Sequence, residues 1–332
     1  MKTSILILGV LAVVIAVSAS AFGAAPELCY VGSGGHLYLH SVGAQTSNDL
    51  PKGLNQLSKL LGGSKSGGDK RITRDDLTGG QCRMPQWLDR NRIAFIYDLS
   101  PDSIPARTKV GILSLDTKKV VLIPALSGSI AIGYDKATGA IDFMKMVKKN
   151  PDSESSEVYL GQYVLKTAKG KSAFAFKSWG TLVPKPIYRW PDASSRLVPV
   201  GTSDVSDQVR VYSLARKKFV SVKWLKDEWK TANLGGWAAM AMSAGPKGAL
   251  AMSVVGEQLT CGLFLVNGNS VQKIRSSKNV IHGPAVSSNG SLIAWYEDDP
   301  SISPTAKTLW ISPTSDPKPQ KVADGRDPAW RP

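Results

Sequence analysis

The stretch Pro284–Glu297 reads P-A-V-S-S-N-G-S-L-I-A-W-Y-E, and the chain ends at Pro328–Pro332 by beginning that phrase again as P-A-W-R-P. In the first copy two apolar runs flank Ser287-Ser288-Asn289-Gly290. Asn-Gly between such runs is a strong hairpin signal, so the copy is two antiparallel strands and a tight turn. The second copy is one strand with no partner after it. A single strand cannot bury its faces, so its partners must come from elsewhere, and the other end of the chain supplies them. L-C-Y-V-G-S from Leu28 and H-L-Y-L-H-S-V from His36 read as strands that lack an inner neighbour. The final strand therefore closes on the N-terminal unit.

Working outward, the unit recurs. P-Q-W-L-D-R-N-R-I-A-F-I-Y-D from Pro85 is again strand, polar turn and strand, followed by K-V-G-I-L-S-L-D and K-V-V-L-I-P. Further units begin near Ile130, Ile187 and Ala239, each a series of short β-rich runs broken by Gly, Pro, Asn, Asp or Ser. Trp87, Tyr134, Trp190, Met242, Val286 and Trp330 occupy the first strand of successive units, at spacings of 47, 56, 52, 44 and 44 residues. Four strands repeated at such a period define a β-propeller, because one small sheet cannot cover both its faces and stacks radially on its neighbours. The expected fold is all-β and six-bladed. Blade 1 takes about 27–80 plus 326–332, and blades 2 to 6 take about 82–125, 127–177, 180–224, 236–276 and 280–324. The one helical stripe, Leu54, Leu57, Leu60 and Leu61, predicts a short amphipathic helix inside an insertion at 46–80.

The three clearest phrases, P-A-V-S-S-N-G-S-L-I-A-W, P-Q-W-L-D-R-N-R-I-A-F and P-A-W-R-P, resemble the P-x-W-S-P-D-G-x-x-I-A-F repeat of TolB-type, WD-repeat-like propellers. The likeness covers the propeller part only, and the separate N-terminal domain of that family has no counterpart in this sequence. Because the motif is structural, it implies fold directly and function only by analogy. What it implies is a non-enzymatic protein-binding module of the cell envelope, gripping its partner by the channel face.

The N-terminus reads as an export signal. A short positive start precedes the apolar run Ile5–Val17 of 13 residues, and Ala19-Ser20-Ala21 has the small-x-small form of a cleavage site. The run is shorter than the roughly 20 residues a membrane helix needs. Residues 1–23 are thus expected to be removed, leaving 24–332 as an exported, periplasmic or secreted propeller. Lys and Arg number 41 against 26 Asp and Glu, a net charge of +15 in 332 residues. That balance favours anionic surroundings, such as an acidic protein, an anionic polymer or a membrane surface, and export argues against nucleic acid. Of three cysteines, Cys29 and Cys82 would tie the first unit to the second as a disulfide; the alternative is that all three are buried small hydrophobes.

No motif carries catalysis. There is no G-x-S-x-G elbow, G-G-S-K-S-G-G lacks the ending of a phosphate loop, and no cofactor motif is present. His36 and His40 lie about 13 Å apart along a strand and cannot share a metal. The acidic run Glu297-Asp298-Asp299 reads as a solvated loop cluster. Trp179, Trp224 and Trp229 fall near unit boundaries and are candidate surface aromatics for a glycan or lipid.

One constellation comes from the repeat itself. Residues just before each innermost strand surround the mouth of a propeller's channel. Counting back from Pro85, Pro284 and Pro328 gives Arg83, His282 and Arg326, and Lys185 precedes Pro186. The expectation is a partly basic mouth that accepts a carboxylate or acidic segment, with Asp327 as its nearest counter-charge. The alternative function is a propeller hydrolase or lyase acting on glycans, for which an ordered acidic pair in the channel would be the sign.

Overall fold

A computed structural model describes residues 25–42, 69–73, 79–100, 107–149, 155–171, 175–179, 185–189, 194–199, 209–220, 238–255, 261–268, 270–298 and 306–332. Two compact units divide the chain, Met1–Glu27 with His40–Asp69 and Leu28–Leu39 with Lys70–Pro332. In the first, the Val42 N–H donates to the Pro26 carbonyl (2.9 Å), and Asp69 bonds the His40 ring (3.0 Å). The proposed signal at 1–23 and the helix at Leu54–Leu61 lie outside the described residues. Among those described, no helix is long and apolar enough to cross a membrane.

The second unit holds the propeller. Blade 1 contains β1 (Glu27–Val31), β2 (Leu37–Ser41) and β3 (Lys70–Arg71). Blade 2 is β4 (Gln81–Trp87), β5 (Arg92–Asp98), β6 (Thr108–Ser114) and β7 (Val120–Ile123). Blade 3 is β8 (Ser129–Asp135), β9 (Ala140–Lys149) and β10 (Ser155–Val164), with an outer strand in two pieces, β11 (Lys169–Lys171) and β12 (Ala175–Trp179). Blade 4 is β13 (Tyr188–Arg189), β14 (Ser195–Pro199), β15 (Val209–Ser213) and β16 (Lys218–Val220). Blade 5 is β17 (Ala238–Ala244), β18 (Leu250–Val255), β19 (Cys261–Asn267) and β20 (Ser270–Ser277). Blade 6 is β21 (Ile281–Val286), β22 (Leu292–Asp298), β23 (Lys307–Pro313) and β24 (Gln320–Asp324). The last strand, β25 (Arg326–Trp330), returns to blade 1.

Closure is by antiparallel pairing of β25 on β1, with Leu28 opposite Trp330 and Cys29 opposite Ala329. The innermost strands touch in the order β25, β4, β8, β13, β17, β21 and back to β25, which completes a six-membered ring. Two tryptophans set its register. Trp87 Nε1 donates to the Ala329 carbonyl and Trp330 Nε1 to the Ala285 carbonyl, each at 3.0 Å. The same bond at the same repeat position shows neighbouring inner strands running in one sense.

Strand alternation explains why the blades stack. Along β5, Ile93, Phe95 and Tyr97 enter the cluster shared with blade 1, while Ala94 and Ile96 enter the cluster shared with blade 3. Blade 4 divides Leu197 and Val211 from Val198 and Tyr212 in the same way. Both faces of each sheet are thus apolar, as strands buried on both sides require, and the core is a series of slabs between blades. Each fully buried Leu, Ile or Phe in such a slab contributes about 1.5–3 kcal/mol. Cys29 and Cys82 share the slab between blades 1 and 2, and Cys261 lies between blades 5 and 6. All three are buried free thiols. Burial pushes the Cys82 thiol up to about 12, which keeps it protonated and unreactive.

Candidate functional site

Three inner strands carry the same irregularity. The β-ladder slips between Arg83 and Gln86, between His282 and Ala285, and between Arg326 and Ala329. At each slip the residue before the proline has positive φ: Met84 (49°), Gly283 (51°) and Asp327 (52°). Proline has no N–H for the ladder, so a bulge there leaves no donor stranded. The bulge re-aims the side chain that precedes it. Gly283 is also a steric requirement, because a Cβ there would stand 2.8 Å from Cε1 of the Tyr296 ring.

The residues expected at the mouth divide into two groups. Lys185, His282 and Asp327 line one cavity of about 190 Å³ at the end of the channel where the inner strands begin. Arg83 and Arg326 do not line it. Arg83 Nη2 pairs with Asp98 Oδ2 at 3.2 Å, and Arg326 Nη2 donates to Gln81 Oε1 at 2.8 Å. Trp179 closes β12, but its side chain, like all of Trp224 and Trp229, lies outside the described residues.

The cavity has further walls that sequence reasoning passed over: Tyr188 from blade 4, Met242 from blade 5, and Tyr296, Asp298 and Lys307 from blade 6. The His282 ring stacks on Tyr296 with centroids 5.1 Å apart, and its Nε2 lies 3.1 Å from Asp298 Oδ2. Lys307 pairs with the other oxygen of Asp298. Burial pushes the Asp298 carboxyl up, but the bonds from His282 and Lys307 outweigh it and hold the group below its usual range. Glu297 and Asp298 of the acidic run are therefore not simply solvated, and Asp299 lies outside the described residues. Glu297 is buried and accepts from Arg275 Nε (2.9 Å), Ser277 Oγ (2.9 Å) and Trp295 Nε1 (3.0 Å), while Asp298 forms the cavity wall.

Asp327 Oδ2 accepts the Met84 N–H at 3.2 Å, so the bulge of blade 1 secures that of blade 2. The phenols of Tyr188 and Tyr296 are both raised, first by burial and next by the Asp327 carboxylate, so both stay neutral hydroxyls. Lys185 is 8% exposed, and burial pulls its ammonium down to about 7. The cavity thus offers cationic donors, hydroxyls and an apolar wall beside carboxylates that are already engaged.

The buried lysine has a consequence for stability. Its folded state holds fewer protons than the unfolded chain between about pH 7 and the ordinary lysine range, so its contribution makes stability rise with pH across that window. Lys185→Met is expected to raise stability by roughly 2–4 kcal/mol at neutral pH, less at alkaline pH. Thermal melts at several pH values check this; equal gains at every pH would show that the ammonium is not desolvated.

The six sheets define the class as a six-bladed propeller, and solved structures of known proteins share this fold. TolB from Acinetobacter baumannii is similar in structure at a TM-score of 0.59 and 15% identity, covering 92% of this chain and 67% of that one. A putative TolB from Agrobacterium tumefaciens has a TM-score of 0.52 and 11% identity, covering 80% of this chain and 92% of that one. An oligogalacturonate lyase from Vibrio parahaemolyticus has a TM-score of 0.49 and 13% identity, over 90% and 79%. No protein-family model matches the chain, and no curated protein sequence matches it significantly. At these identities the likeness is one of fold.

Proposed function

We propose that this chain is an exported, non-enzymatic binding propeller that holds a protein partner by the end of its channel where Lys185 and His282 lie. The observation that carries this reading is the convergence of Lys185, His282, Lys307 and Asp327 from blades 1, 4 and 6 on one cavity. Its volume of about 190 Å³ admits one side chain or chain terminus of a partner, whereas pockets for whole small ligands run to about 300–1,000 Å³. The best-suited occupant is a carboxylate. It would accept from Lys185 and the tyrosine hydroxyls while its aliphatic stem lies on Met242. Resemblance to the TolB propeller supports a protein partner, and the apolar run at Ile5–Val17 supports export.

The carboxylates of the cavity speak for binding rather than glycan chemistry. Asp298 is held below its usual range by the His282 ring and Lys307, which suits it to accept bonds rather than to serve as a general acid, and Asp327 is engaged by a backbone N–H. Glycoside cleavage by an acid pair needs one carboxyl kept protonated. The test is affinity capture of envelope proteins on the mature protein, repeated with Lys185→Met and Lys307→Met. One partner that survives high salt on the wild type and binds both variants at least about tenfold more weakly is expected, a loss of about 1.4 kcal/mol. A discrete partner held equally by all three proteins, or turnover of a polysaccharide, would overturn the reading.

A further inference from the structure

Blade 3 stands taller than its neighbours on the side of the cavity. In blades 2, 5 and 6 the second strand ends level with the start of the innermost strand or one residue past it. Asp98 lies opposite Gln81, Val255 opposite Ala238, and Asp298 follows Glu297, which lies opposite Ile281. In blade 3 the innermost strand β8 begins at Ser129 opposite Lys145, yet β9 runs on to Lys149, still paired with β10. The extra residues, 146–149, add about 13 Å of strand at about 3.3 Å per residue. Turns between strands two and three lie at the end where the inner strands begin, so this extension rises beside the mouth of the cavity.

The extension is reinforced from outside. A bare two-stranded ribbon is marginal in water, and a third strand steadies it. Here β12 pairs with residues 155–159 of β10, along the raised part, whereas β11 pairs lower down with residues 162–164. The raised part is thus a small sheet of three strands, β9, β10 and β12. Its inner edge is residues 146–149 of β9, and among the described residues no strand pairs with that edge. None of the four is a proline, so the edge presents backbone N–H and C=O groups in line with β8. An open edge of this kind accepts a further strand.

Direction decides what that strand can be. A segment added antiparallel to β9 runs in the same sense as β8 and ends, at its C-terminus, above Ser129. Blade 4 passes close by at this point. The Ile187 N–H donates to the Ile132 carbonyl at 2.9 Å, and a Cβ at Gly133 would overlap the Ile187 carbonyl. Lys185, two residues upstream of Ile187, therefore stands at the level where β8 begins, and it lines the cavity. The open edge and the cavity are continuous through Lys185.

We propose that the occupant is the extended C-terminal segment of a partner protein, added as a strand antiparallel to residues 146–149 of β9, with its terminal carboxylate passing into the cavity beside Lys185. The proposal rests on the binding reading above and names the form that the partner takes. A chain end suits the cavity better than an internal segment, which would have to enter and turn back within about 190 Å³. A C-terminus suits it better than an N-terminus, because a parallel strand would bring an ammonium against Lys185 and Lys307. Main-chain bonds along β9 would supply affinity for extended backbone, and the cavity would select for a free carboxylate.

The test is selection on the mature protein from a library of random peptides of about nine residues with free C-termini, long enough to cover the edge and enter the cavity. The tightest peptide is then remade as the acid, as the C-terminal amide and with single N-methylated residues. Amidation is expected to weaken binding at least about tenfold, as is Lys185→Met, and the two losses should not add. N-methylation should weaken binding at least about tenfold at alternate residues and within about twofold at those between, because every second N–H faces the ladder. Amide hydrogens within 146–149 should exchange more slowly in the complex. N-methylation leaves the protein untouched, and a melting curve establishes that Lys185→Met is folded. A peptide that needs its free carboxylate and Lys185, but shows no alternation and no protection at 146–149, would overturn strand addition and leave the cavity reading standing. One that protects 146–149 yet binds equally as amide and to Lys185→Met would overturn the placement of the terminus, and the cavity reading with it. A library that yields no binder, while a discrete envelope protein is captured through Lys185, would likewise overturn the proposal.

Discussion

Truncation after Gly325 is expected to abolish cooperative folding. The seven residues removed include the innermost strand of blade 1, which pairs the end of the chain with its first strand. Their loss strips β1 of its partners at Leu28, Cys29 and Val31, and exposes the flanks of β4 and β21 that pack on β25. Trp330 is 8% exposed and donates to Ala285, while the Ala329 carbonyl accepts from Trp87. The Met84 N–H also loses Asp327, its acceptor in a strained bulge. Deleting one buried tryptophan side chain costs about 3–5 kcal/mol, against a total of about 5–15 for a typical protein. Trp330→Ala alone should therefore lower stability by about that amount, and the truncation should leave an aggregation-prone open sheet edge. Denaturant titration of the three proteins measures this. A truncated chain that unfolds with the midpoint of the full-length protein would refute closure by β25. Restoration of the transition by the peptide R-D-P-A-W-R-P in trans would confirm it.

That closure was legible in the sequence because it rests on a local phrase. Pro-x-Trp and the polar turn after it are set by φ/ψ and hairpin chemistry within a few residues, and the repeat multiplies the signal. The same locality made half of the cavity readable. Lys185, His282 and Asp327 follow from counting back along one strand, as do Arg83 and Arg326, yet the last two are turned aside by Asp98 and Gln81. Whether a re-aimed cation faces the cavity or a neighbouring strand depends on partners that no single strand encodes. Tyr296, Asp298 and Lys307 belong to second and third strands, and their alignment with His282 depends on the slip between His282 and Ala285. A reading that assumes unbroken alternation puts them out of register. Glu297 and Asp298 were misread for a related reason. A run of acids suggests solvent, and only tertiary packing reveals that one is buried against Arg275 and the other walls the cavity.

Charged residues within strands also hide a buried ion-pair network between blades. Arg196 on β14 is wedged between blades 3 and 4, its Nη2 2.9 Å from Asp135 Oδ2 and its Nε 2.6 Å from Asp142 Oδ2, with all three side chains at most 3% exposed. Gln162 donates to Asp142 Oδ1 at 2.7 Å, and Arg189 to Asp135 Oδ1 at 3.1 Å. Arg196→Met is expected to destabilise the protein by about 3–5 kcal/mol, because it strands buried carboxylates rather than merely removing an attraction. The dependence on pH separates this from a packing defect. Burial already raises the Asp142 carboxyl even with Arg196 and Gln162 beside it, and without the guanidinium it rises further. A carboxyl raised in the folded state binds more protons there than in the unfolded chain, so stability falls as pH climbs through that window. The loss should be larger at pH 8 than at pH 5, and Arg196→Met with Asp142→Asn should recover much of it, since a neutral amide needs no counter-charge. A penalty equal at both pH values and untouched by the second change would mean that Arg196 acts by volume alone. The pair would then be a spacer between blades 3 and 4, and their stacking would rest on Val198 and Tyr212 against the apolar face of blade 3.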